Sequence, residues 1–115
     1  MKATINGNKL IAEFMELESP DGNYFEHISK DGNKKLFHFI LLEYHLSWDC
    51  LMPVVDKIES FGYWIRMDYG DVFIVDDDSN IIIENPMHED GYTKLDLVYD
   101  VVVEFIEWHN EILFS

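Results

Sequence analysis

Between Tyr44 and Pro53 the chain reads YHLSWDCLMP, which gathers His45, Ser47, Asp49 and the single cysteine, Cys50, into one short stretch. These are the groups of a thiol nucleophile. Cys50 would attack as the thiolate, His45 would take its proton, and Asp49 would orient the imidazole. The spacing does not select that chemistry, because neither a nucleophile elbow nor a helix opening clearly at the thiol accompanies it. The competing reading assigns the segment to a helix entry, with Ser47 or Asp49 capping free amides, Trp48 packed into the core and His45 hydrogen-bonded there. That reading is preferred. The chain is expected to be non-enzymatic, with no catalytic residue, and a small Cys/His enzyme stays open as an alternative. A lone cysteine also forms no internal disulfide and builds no Cys-based zinc site.

Carboxylates offer a second chemistry. Asp76-Asp77-Asp78, Glu84 and His88-Glu89-Asp90 contain the oxygen donors that calcium or magnesium prefers. The spacing of an EF-hand loop is missing, as are glycine-rich phosphate loops, so a solvated turn is the simpler reading and no metal or cofactor is expected. A small metal-dependent enzyme remains the alternative that these acids would support. More specific is the C-terminal segment TKLDLVYDVVVEFIEWHNEIL, where Asp96, Asp100, Glu104, Glu107 and Glu111 recur at intervals of 4, 4, 3 and 4. On a helix they form one ridge about 22 Å long. Its like-charge neighbours cost roughly 0.2–0.5 kcal/mol per pair. The ridge is either a solvated face or a contact for something cationic, and together with Asp76, Asp77 and Asp78 it is the candidate partner-binding site.

The elements that would position these groups are short. Leu10, Ile11, Phe14 and Met15 predict a helix over 8–18, capped by Asn6 or Asn8 and stopped before Ser19-Pro20-Asp21-Gly22. YFEHI (24–28) and KLFHFILLEY (35–44), separated by an Asp-Gly turn, suggest a hairpin or two extended segments. Leu51, Val54, Val55 and Ile58 mark a second helix, which Ser47 opens and Gly62 ends, while Pro53 should kink it or delay its start towards Leu51. YWIRMD, DVFIVDD and NIIIEN predict a three-stranded antiparallel meander with turns at Tyr69-Gly70 and Asp78-Ser79. A long amphipathic helix should begin near Thr93. The fold class is α+β, and 115 residues suffice for one domain and no second core.

YHLSWDCLMPVVDKIES followed by TKLDLVYDVVVEFIEWHN resembles a group of small, functionally uncharacterised proteins of Bacteroidetes phages and prophages. The resemblance rests on Tyr44, His45, Ser47, Trp48, Asp49, Leu51, Met52, Pro53, Val54 and Val55. It continues at Lys94, Val98, Tyr99, Val102, Val103, Phe105 and Ile106. Cys50 departs from it, standing where the group has tryptophan, and an indole cannot replace a nucleophile. The resemblance therefore implies a phage-type origin and argues against Cys50 as a catalytic thiol.

Net charge narrows the function classes. The formal charge is −15, and the excess lies in the C-terminal half, where residues 61–115 set Arg66 and Lys94 against 13 acids. Such a surface repels phosphate backbones and anionic membranes and attracts basic partners. No apolar run approaches the ~18 residues of a membrane span, and MKATINGNKL has no apolar leader core, so a cytoplasmic location is expected. The leading expectation is an acidic binding protein of phage type that contacts no nucleic acid directly. It would act as a nucleic-acid mimic on a basic protein surface, such as a nucleic-acid-binding effector of a host defence complex, in the manner of an anti-CRISPR inhibitor. The third alternative is a structural homodimer held by Tyr63, Trp64 and Phe114.

Overall fold

Helix α1 (Ile5–Phe14) starts earlier than the sequence pattern suggests and places Asn8 inside the helix instead of at its cap. The structure, a computed structural model, describes residues 5–28, 31–68, 71–84 and 93–114. Strands β1 (Tyr24–Ile28) and β2 (Lys34–His38) follow as an antiparallel hairpin in which Phe25 faces Phe37. The second extended segment ends early, in a 3-10 turn over Phe39–Leu41. Helix α2 (Trp48–Ser60) leads into β3 (Trp64–Asp68), β4 (Asp71–Val75) and β5 (Ile81–Glu84), a meander in the order β3-β4-β5. The expected turn at Tyr69-Gly70 lies outside the described residues. Helix α3 (Lys94–Phe114) closes the chain. The architecture is α+β, with three helices and two small antiparallel sheets among the described residues.

Local chemistry accounts for the boundaries. Helix α2 opens at Trp48 despite Pro53, so the later start near Leu51 does not occur. The proline lies on the exposed side beside Met52, where its missing N–H leaves only the Asp49 carbonyl without a helical donor. Gly62, at φ +93°, ends α2 as expected, and its amide reaches the Glu59 carbonyl at 3.0 Å. Helix α1 stops four residues before its expected end through a Schellman motif built without glycine. Glu16 adopts φ +59°, its amide bonds the Glu13 carbonyl, and the Leu17 amide bonds Ala12. The Lys57 ammonium closes that end by donating to the Phe14 carbonyl and lying over the Phe14 ring. At the start of α3, Thr93 and Asp96 form a capping box: the Thr93 amide donates to the Asp96 carboxylate at 2.9 Å, and the Asp96 amide donates to the Thr93 hydroxyl at 3.1 Å.

One core joins all of these elements. Val98, Val101, Val102 and Phe105 on α3 are fully buried against Leu51, Val54 and Ile58 of α2, Ile11 of α1 and Ile74 of β4. At roughly 1.5–3 kcal/mol per side chain, the four α3 residues alone outweigh the like-charge repulsion along the opposite side of the helix. His109 extends the core as an aromatic, stacked between Phe61 and Phe105 with Phe14 edge-on.

At the heart of this packing Asn8 is 2% exposed. Its amide group donates to the Leu42 carbonyl at 2.9 Å and to His45 Nδ1 at 3.1 Å, and its carbonyl oxygen accepts the Tyr99 hydroxyl at 3.1 Å. The preceding residue must be glycine for this to fit, since a Cβ on Gly7 would stand 2.3 Å from the Tyr99 hydroxyl oxygen. Gly7→Ala is therefore expected to destabilise the protein by about 1–3 kcal/mol through overpacking. The loss should shrink in the Tyr99→Phe background, where the clashing oxygen is gone, as a double-mutant cycle of urea unfolding will show.

Candidate functional site

The chemistry-bearing residues of 44–50 do not converge. Asn8 can only donate through its amide group, so His45 Nδ1 is an acceptor and the ring proton sits on Nε2. The same ring lies edge-on to Tyr99 at 6.1 Å. His45 is thus tied into the contact between α1 and α3, as a half-buried, hydrogen-bonded residue. Burial pushes the pKa of the Tyr44 hydroxyl up to about 12. Burial likewise raises the Tyr99 phenol well above its ordinary value, which keeps it a donor to Asn8.

The helix-entry reading needs two corrections. Ser47 occupies the N-cap position and its carbonyl accepts the Cys50 and Leu51 amides, but its hydroxyl makes no capping bond. Trp48 does not pack into the core and is 37% exposed. The first turn carries the Asp49 charge instead, on the side favoured by the helix dipole.

Cys50 is a half-buried free thiol at the edge of an open cleft of about 440 Å³ between the β1–β2 hairpin and the start of α2. His27 and Lys35 enter this cleft from paired positions on the hairpin, and Phe37 and Leu42 supply apolar wall. The imidazole that shares the thiol's cleft is therefore His27, not the neighbour in sequence, His45.

The meander carboxylates are also separated. Asp76 serves its own turn, where its side chain accepts the amides of Asp78 at 2.9 Å and Asn80 at 3.0 Å. These bonds, the Asn80 amide first, hold the Asp76 carboxyl below its usual range. Asp77 and Asp78 are exposed on the same turn, while Glu84 is exposed on β5, about 10 Å further along the strand. Among the described residues no group of three or more histidine, cysteine, aspartate or glutamate side chains is placed to hold a metal ion. His88, Glu89 and Asp90 lie outside the described residues.

The α3 acids do share one face. Asp96, Asp100, Glu104, Glu107 and Glu111 fall within roughly 80° of the helix circumference, centred opposite Val98 and Phe105. Glu104, Glu107 and Glu111 are exposed, whereas Asp96 and Asp100 are half-buried. Asp96 is occupied by the capping box, so the solvent-facing part of the ridge is its C-terminal half. Among the described residues, the ion pairs of Lys35 with Asp31 and of Lys57 with Glu16 lie away from it. The last turn of α3 contains no basic residue, so Glu111 faces the negative end of the helix dipole.

Asn8 is the residue that pattern reading misplaces: a polar side chain three positions before Ile11 reads as a cap, while the structure uses it as a buried hub. The signal that could have found it is the preceding Gly7, which permits close approach.

Fold and surface together define a small α+β protein whose long C-terminal helix shows an acidic row to solvent. No protein family, curated protein or solved structure matches the chain.

Two measurements check the electrostatic account. Glu111→Lys removes a repulsion with Glu107, creates an i,i+4 attraction and complements the dipole, so thermal unfolding at low salt should show a gain of about 1 kcal/mol that high salt reduces. Asp76→Asn should be less stable than the parent at neutral pH. A carboxyl depressed in the folded state contributes its stability above the unfolded value and loses it as pH falls through the folded value. The gap should therefore close as pH falls below the ordinary carboxylate range.

Proposed function

We propose that this protein is a non-enzymatic binding protein whose acidic α3 face docks on a basic protein surface. The carrying observation is the exposure of Glu104, Glu107 and Glu111 along one side of α3, diametrically opposite the buried stripe. A row of carboxylates about 11 Å long over those three residues offers a cationic groove a spacing of negative charge comparable to that of a nucleic-acid backbone. The exposed Asp77 and Asp78 add charge at the β4–β5 turn.

The partner class that suits this face is a nucleic-acid-handling protein with a groove built for phosphates. Combined with the phage-type resemblance of the YHLSWD segment, this supports an inhibitor of a host defence complex, of the anti-CRISPR kind, acting as a nucleic-acid mimic. His45, half-buried and committed through Nδ1 to Asn8, does not line the cleft of Cys50, which favours binding over catalysis by the His45–Cys50 pair.

The test uses Glu107→Lys/Glu111→Lys in the full chain. Host-lysate proteins retained at low salt on the immobilised parent should be enriched in nucleic-acid-binding proteins and should elute with rising salt. The double variant should lose them while unfolding no earlier than the parent. Retention of the same proteins by the variant, or salt-independent retention, would show that α3 is not the contact.

A further inference from the structure

Strands β3 to β5 have two unlike faces. Ile65, Ile74 and Ile83 stand opposite one another in register and turn towards the core, where Ile74 is fully buried. The other face carries Trp64 and Arg66 from β3, the exposed Asp71, Phe73 and the buried Val75 from β4, and Glu84 from β5. Arg66 pairs with Phe73 and Phe73 with Glu84, so the three side chains form one row across the sheet, with Trp64 two residues along on the same side. Trp64, Arg66, Phe73 and Glu84 lie outside the hydrophobic core, and Trp64 is 48% exposed. Arg66 is the chain's only arginine. Among the described residues neither Arg66 nor Glu84 has an ion-pair partner, and two strand spacings, about 10 Å, keep them from neutralising each other.

We infer that this sheet face is the interface of a two-fold homodimer. When two copies are laid face to face with the axis along the strands, β3 of one lies over β5 of the other. The row Arg66, Phe73, Glu84 then meets the partner's Glu84, the partner's Phe73 and the partner's Arg66. Two opposite-charge contacts flank a central aromatic pair, and the indole of Trp64 extends the apolar area. The row Arg66, Phe73, Glu84 is its own electrostatic complement under this symmetry, which selects a second copy over a uniformly basic or acidic partner; the like-charge approach on this face, Asp71 towards its own copy, falls at the end of β4 beyond the row. The geometry also meets the obstacle of a chain with charge −15. Helix α3 packs on the inner face of the sheet with its acidic row turned outward, so facing sheets hold the two acidic rows on opposite outer sides of the dimer. The inference stands apart from the proposed binding activity and fails or survives without it.

Sedimentation velocity of the full chain at about 100 µM, a concentration that populates interfaces below the standard size, should show a dimer. Arg66→Glu and Glu84→Arg should each weaken dimerisation about tenfold or more by setting like charges face to face. The double variant Arg66→Glu/Glu84→Arg should restore it, because the reversed row is again self-complementary. Both positions are exposed, and circular dichroism separates any folding defect from dissociation. A monomeric parent at that concentration, a dimer indifferent to the single reversals, or a double variant as weak as the singles overturns the inference.

Discussion

A single buried carboxamide governs how the helices of this protein meet. Asn8 has two donors and two acceptor positions, and three of these four are filled by groups from two other parts of the chain. Each partner left without Asn8 would keep a buried polar group unsatisfied, at roughly 1–3 kcal/mol apiece. Apolar contacts between α1 and α3 would tolerate sliding by a turn or a rotation of some degrees; the Asn8 network does not, because its three partners lie in fixed directions. Gly7 enforces the same alignment sterically, since only a residue without a side chain lets the α1 backbone approach the Tyr99 hydroxyl.

This constraint also decides what the YHLSWD segment is for. Residues adjacent in sequence invite a mechanism, but the Asn8 bond turns His45 towards α1 and α3, while the first turn of α2 sends Cys50 to the hairpin cleft. Side chains five positions apart across a helix entry need not share a direction. Proximity along the chain is therefore weak evidence for a catalytic constellation, and the hydrogen bonds that each group has already made are stronger evidence.

Strong periodicity makes an element legible from its residues alone. Helix α3, the β3–β5 meander and the Gly62 stop of α2 follow from apolar spacing, β-branched runs and the glycine demand for positive φ. What escapes such reading is whatever depends on partners remote in sequence. The end of α1 lies at Phe14 because Lys57, 43 residues away, satisfies its carbonyl, and because Glu16 adopts a conformation for which glycine would be the usual signal. Trp48 looks like a core residue by composition, yet its place on the first turn of α2 directs it outward while Leu51 and Val54 take the interior. Of the candidate contact residues, the five α3 acids are aligned by spacing alone. The commitment of Asp96 to a capping box and of Asp76 to its turn is not legible in that way, since both depend on backbone conformation.

Charge and stability are arranged in opposition along α3. At its N-terminal end the acid is favourable twice over, because Asp96 complements the dipole and completes the capping box. At the C-terminal end Glu107 and Glu111 repel each other and oppose the dipole, with no basic residue in the last turn to relieve them. The helix holds because its other side is anchored by valines and Phe105, each worth more than any one of these repulsions. A helix selected only for stability would place its acids at the start and its bases at the end. This one keeps Glu107 and Glu111 where they are least favourable to the fold and exposed to solvent, and that placement is the physical reason to look for a cationic surface opposite them.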